Sequence, residues 1–180
     1  MELTTLLKRK RKAILGQWFR LVIETYPRAT SNLLAKQEDQ FRNPVGHTIA
    51  ESLARVFDQI QSAMDTGELM DALDGIIRIR SIQDFTPSEA VAFVFDLKAV
   101  IRDVIDAEGG GGDALSELAS LDSKIDRVAL LAFEKYMTCR EKLHEIRNNE
   151  IKKRMAEFSQ RRNVGAAASA EAKQSICDEA

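Results

Sequence analysis

The chain has 180 residues, of which 44% are hydrophobic and 30% charged, with nine Gly, three Pro and a net charge of −2 at neutral pH. That length fits one domain with a core plus an extension, and the low Gly and Pro content excludes collagen-like or disordered composition. The near-balanced charge supplies no overall field toward nucleic acid or an anionic membrane, so any basic feature has to be local.

In chain order, apolar residues recur at helical spacing through Leu3, Leu7, Ile14, Trp18, Leu21 and Val22, with the basic run Lys8-Arg9-Lys10-Arg11-Lys12 mostly on other faces. A long amphipathic helix is predicted, stopping near Tyr26 because Pro27 disfavours helical geometry in the residue before it. A short helix follows around residues 31–37, and then a Pro- and Gly-marked loop from Phe41 to His47. Thr48 reads as an N-cap with Glu51 three residues on, opening a helix whose stripe is Ile49, Leu53, Val56, Phe57, Ile60 and Met64. Asp65-Thr66-Gly67 ends it, and the next helix runs from about 68 to 83 through Leu69, Leu73, Ile76, Ile77 and Ile79.

Thr86-Pro87-Ser88-Glu89 is the sharpest local signal: Thr caps, Pro takes the first helical position, and Glu at the third reaches back. The helix over 87–106 is apolar almost all round in its first half and is expected at the centre of the core. Gly109 to Gly112 read as a hinge, after which residues 113–162 form one helix with apolar positions at 118, 121, 125, 128, 132, 136, 139, 143 and 146. At 1.5 Å per residue such a helix is on the order of 70 Å long, more than a small domain is wide, so part of it is expected to project or pair. Residues 163–180 lose amphipathic character and are expected to be disordered. The resulting expectation is an all-α protein: a helical bundle over 1–108, the long C-terminal helix over 113–162, and a tail.

Candidate chemistry is sparse. Cys139 and Cys177 have no CxxC spacing, and with only His47 and His144 they match no zinc motif. Glu141 and His144 have the Glu-x-x-His spacing of di-iron bundles, which need a second copy that the chain lacks. Neither His is placed for haem, so no metal or cofactor is expected. No Gly-x-Ser-x-Gly elbow or phosphate-binding loop occurs, and no catalytic residue is assigned. No apolar stretch approaches the ~20 residues that span a bilayer. Lys8 to Lys12 lack interleaved aromatics, which favours a solvated helix face over nucleic-acid contact. His144-Glu145-Ile146-Arg147-Asn148 has the form of a phosphoaccepting histidine box, so histidine phosphotransfer and a haem or ligand sensor stand as alternatives to a role without chemistry.

Four stretches, residues 18–27, 41–49, 78–93 and 136–147, resemble the RsbRD N-terminal domain family, most specifically in Asn43-Pro44-Val45-Gly46 and Gln83-Asp84-Phe85-Thr86-Pro87-Ser88. The resemblance covers about residues 10–155. It implies a helical sensory domain of the stressosome type, globin-like without haem, that acts by pairing through its long C-terminal helix with a second copy or another signalling protein; the expected compartment, the cytoplasm, comes instead from two Cys without a disulfide framework and an N-terminal apolar run cut short by Arg20. The departure from the family pattern is that no phosphorylatable output domain or kinase follows residue 162. The expected ligand or signalling segment comprises Asn43, Pro44, Gly46, His47, Arg78, Arg80, Gln83 and Asp84. A structural role competes with it, in which Asn43 and Asp84 cap helices, Gly46 permits an unusual backbone angle and Pro44 stiffens the loop. Arg78 and Arg80, two positions apart, are expected on opposite sides of a helix. Ile151, Met155 and Phe158 are the expected partner contact, being the main apolar anchors left beyond Ile146.

Overall fold

The computed structural model describes residues 2–35, 41–83, 85–109 and 114–178, and in the last helix the side chains of 117–160 and 162. Among the described residues there are six helices and no strand: α1 (Leu3–Glu24), α2 (Arg28–Leu34), α3 (Pro44–Gln61), α4 (Thr66–Ile82), α5 (Pro87–Ala107) and α6 (Ala114–Asp178). The chain is an all-α helical bundle, and it divides into two compact units, Met1–Arg140 and Glu141–Ala180.

Each start has a local cause. Asn43 caps α3 by accepting from the Gly46 amide, with Pro44 in the first turn. The cap therefore lies five residues before the expected Thr48; Pro44 after it lacks only an amide that would have no partner anyway, and Thr48 bonds back to the Pro44 carbonyl instead. Asp65 caps α4 by accepting from the Glu68 amide at 2.9 Å, so Asp65-Thr66-Gly67 starts a helix rather than ending one. Thr86 and Glu89 form the full capping box that opens α5. At the end of α1, the Thr25 hydroxyl donates to the Val22 carbonyl at 2.7 Å, and Pro27 prevents continuation.

The core of the first unit draws on every helix. From α1 come Ile14, Trp18 and Val22; from α3, Ile49, Leu53 and Phe57; from α4, Leu69, Leu73 and Ile76; from α5, Phe93, Leu97 and Val100; and from α6, Ile125, Val128 and Tyr136. Helix α5 is as deeply buried as its composition predicts, although Phe95 stays 45% exposed. The Trp18 indole stacks on Phe93 and donates its N–H to the Phe93 carbonyl at 2.6 Å, pinning α1 to α5.

Helix α6 continues to Asp178, past residue 162, where disorder was expected. Residues 164–170 hold four Ala, the best helix former, so backbone propensity carries the helix on where no stripe remains to bury. Residues 110–112 of the expected hinge, and residue 113 at which the last helix was expected to begin, lie outside the described residues, whereas Gly109 has φ +69°, the left-handed turn that ends α5 and that glycine adopts freely.

Candidate functional site

The sequence singles out two segments, and the structure assigns them different work. In the first, Asn43 is buried, with 5% exposure, and among the described residues its side chain closes three bonds. Its Oδ1 accepts from Gly46 N at 2.9 Å, while Nδ2 donates to the Leu33 and Leu34 carbonyls at 3.1 and 2.9 Å. Asn43 thus caps the start of α3 and the end of α2 at once. Gly46 has no unusual backbone angle; it is glycine because a Cβ there would come within 2.4 Å of Asn43 Nδ2 and 2.7 Å of the Leu34 carbonyl. Pro44 sits in the first turn, and His47 is half-buried with Nε2 3.9 Å from Glu51. This cluster is a clamp between helices.

The second segment is different in kind. Arg78 lies at the surface, paired with Asp74 at 2.7 Å, while Arg80, on the other side of α4, is fully buried. Its guanidinium lies 4.3 Å from the Phe85 ring centre and 5.5 Å from those of Tyr26 and Phe93, an aromatic cage that attracts a cation through the ring faces. Nη2 donates at 3.1 Å to Thr25 Oγ1 and to the Glu89 carbonyl. Among the described residues Nε, Nη1 and the Tyr26 hydroxyl have no partner within hydrogen-bond distance, although the guanidinium and the phenol lie close enough for each to act on the other's pKa. Burial pushes the Arg80 pKa down, with Tyr26, Asp96 and Glu89 opposing; Tyr26 is raised by burial against the pull of Arg80. Burial also raises Asp96, again opposed by Arg80.

Beside the cage lies a recess of about 400 Å³ lined by Thr25, Tyr26, Pro27, Thr30, Gln83 and Phe85. Thr25, Tyr26 and Phe85 belong to both cage and recess. Gln83 Oε1, in the recess wall, is also without a partner. Asp84 falls outside the described residues. The end of α4 and the segment before α5 are each tied to α6: Arg140 Nη1 donates to the Ser81 carbonyl in the last turn of α4 at 3.2 Å, and Tyr136 donates its hydroxyl to the Phe85 carbonyl at 2.9 Å. Lys135 adds an ion pair with Asp74 at 2.6 Å.

The sequence reading names Arg80 and Gln83 but misses Tyr26, Thr30 and Phe85 as wall residues. A signal for the cage exists nonetheless: Leu69, Leu73 and Ile76 set a buried stripe whose next helical position is Arg80, a cation where the pattern calls for an apolar side chain.

In the second unit, Ile151, Met155 and Phe158 are 55%, 66% and 68% exposed, and no residue from 144 to 160 is buried. The basic run is largely neutralised: Arg9 and Lys10 pair with Glu108, and Arg11 forms a two-pronged bond with Asp58. Among the described residues no group of side chains suits a metal ion, and no helix is long and apolar enough to cross a membrane.

Compared with known proteins, residues 12–151 match the model of the family described as the RsbT co-antagonist protein rsbRD N-terminal domain. No curated protein and no solved structure matches the chain.

Proposed function

The chain belongs to the RsbT co-antagonist protein rsbRD N-terminal domain family, and from that membership we propose that it is a sensory and regulatory domain that works by protein contact in the cytoplasm, without catalysing a reaction. Its partner in this reading is a second copy of the chain, met through the α6 residues beyond Arg140. The observation that carries the reading is the exposure of Ile146, Ile151, Met155 and Phe158 at 55% or more on a helix that buries none of its residues from 144 to 160. An isolated helix of mixed charged composition is marginal in water, because nucleation is costly and propensity adds little per residue. Large apolar side chains on such a helix gain stability when a partner covers them, each contributing about 1.5–3 kcal/mol on full burial.

Sedimentation of the full chain beside a chain ending at Ile146 tests this. A concentration-dependent dimer for the first and a folded monomer for the second support the proposal. A monomer in both cases at tens of micromolar removes the homodimer from it.

A further inference from the structure

Beyond Arg140, α6 keeps one register. Positions 141, 144, 148, 151, 155 and 158 follow steps of three and four in strict alternation, the spacing that lines the seam of a two-stranded coiled coil. The far half of this seam is Ile151, Met155 and Phe158, and the near half is Glu141, His144 and Asn148. All six side chains are exposed, and among the described residues none of the three polar ones makes a hydrogen bond or ion pair. If two copies pair as proposed above, the order of these residues sets their direction. Antiparallel copies overlapping over residues 141–158 would set Glu141, His144 and Asn148 against Phe158, Met155 and Ile151, burying polar groups with no polar group opposite. Parallel copies in register close apolar layers on apolar layers, and each Asn148 faces its own counterpart, an arrangement that fixes register in coiled coils.

The parallel arrangement also brings the two Glu141 carboxylates together, and like charges at a desolvated seam repel. A cation between them removes the repulsion. His144 lies three residues on, on the same helix face and about 4.5 Å along the axis, so both side chains of one copy reach a common point. Glu141 and His144 are thus half of a four-donor set of two imidazole nitrogens and two carboxylate oxygens, a set that suits tetrahedral zinc. One chain does not hold it alone: among the described residues no group of three such ligands exists. Mg²⁺ and Ca²⁺, which take oxygen ligands, fit it less well because half of the donors are imidazole. Resting on the pairing reading above, we propose that Glu141 and His144 of two parallel copies bind one divalent transition-metal ion of the zinc class, which clamps the α6 seam at its Arg140 end. Metal occupancy then sets how tightly the helices pair, in addition to the hold of Ile151, Met155 and Phe158.

Sedimentation of the full chain in EDTA, in Zn²⁺ and in Mg²⁺ tests the site, with equilibrium dialysis to count bound zinc. Zn²⁺ should tighten the dimer at least about tenfold over EDTA, Mg²⁺ should not, and one zinc ion should be held for every two chains. His144→Ala and Glu141→Gln change exposed side chains, so circular dichroism should show their helices unchanged. Each should pair as the parent does in EDTA and lose the tightening by Zn²⁺, whereas His47→Ala should keep it. A parent dimer equally tight in EDTA and Zn²⁺, tightening retained in His144→Ala, or one ion held by each chain overturns the proposal. Pairing in EDTA without a zinc effect rejects the metal site and leaves the pairing reading standing. Pairing in Zn²⁺ but not in EDTA supports the metal site and rejects the apolar contacts as sufficient by themselves. A monomer at tens of micromolar in all three conditions rejects both.

Discussion

Replacing Gly46 by Ala tests whether the 43–47 segment is a clamp, because the structure specifies what the new methyl group meets. Its Cβ would fall 2.4 Å from Asn43 Nδ2 and 2.9 Å from Asn43 Cγ, so the Asn43 side chain has to leave. With it go the bond to Gly46 N and those to the Leu33 and Leu34 carbonyls. Loss of an N-cap costs about 0.5–2 kcal/mol, and each further bond about 0.5–1.5 kcal/mol, so a total of about 2–4 kcal/mol is expected. Asn43→Ala removes the same three bonds and should cost a similar amount. Since both substitutions delete one set of interactions, the double variant should be less destabilised than the sum of the singles by about 1 kcal/mol or more. Urea unfolding monitored by circular dichroism measures all three. Additive losses, or a Gly46→Ala variant as stable as the parent, refute the clamp.

Thr86→Ala breaks the capping box at the start of α5 and should lower stability by about 0.5–2 kcal/mol, read from the urea midpoint. Tyr136→Phe leaves the Phe85 carbonyl without its donor and should cost about 1–3 kcal/mol, with faster amide exchange in residues 81–86 than elsewhere in the unit. Asp74 is raised by burial, but Lys135 and Arg78 outweigh that and hold its pKa below the ordinary carboxylate value. Its contribution is therefore complete above the ordinary value and lost as pH falls through the lower folded value; acid unfolding of Asp74→Asn should show a weaker dependence in that window.

The fold was legible wherever one periodicity or one local motif decides the outcome. Thr86-Pro87-Ser88-Glu89 gave the start of α5, and the step of three to four residues from Leu121 to Tyr136 gave the buried face of α6. The misreadings concern ends and fillers. Thr48 looked like a cap because its partner Glu51 is in place, yet Asn43 followed by Pro44 is the stronger start, and only the nearby Leu34 carbonyl reveals why Asn is required there. Of the candidate site, Arg80 and Gln83 were visible, but the cage was not: Tyr26, Arg80 and Phe93 are separated by long stretches of chain, and no local pattern announces that their side chains meet. The clamp and the cage also look alike in sequence, since both carry polar residues beside Pro and aromatic residues; satisfied bonds in one and unpartnered donors in the other separate them.

The most direct measurement of the central claim, that the domain works by contact through α6 beyond Arg140, is the oligomeric state and thermal midpoint of Ile151→Ser, Met155→Ser, Phe158→Ser combined in the full chain. All three side chains are more than half exposed, so the account expects the dimer of the parent to become a monomer while the monomer's own thermal midpoint, compared at matched dilution, stays nearly unchanged. A variant that pairs as the parent does, or a midpoint that collapses in the monomer, contradicts it.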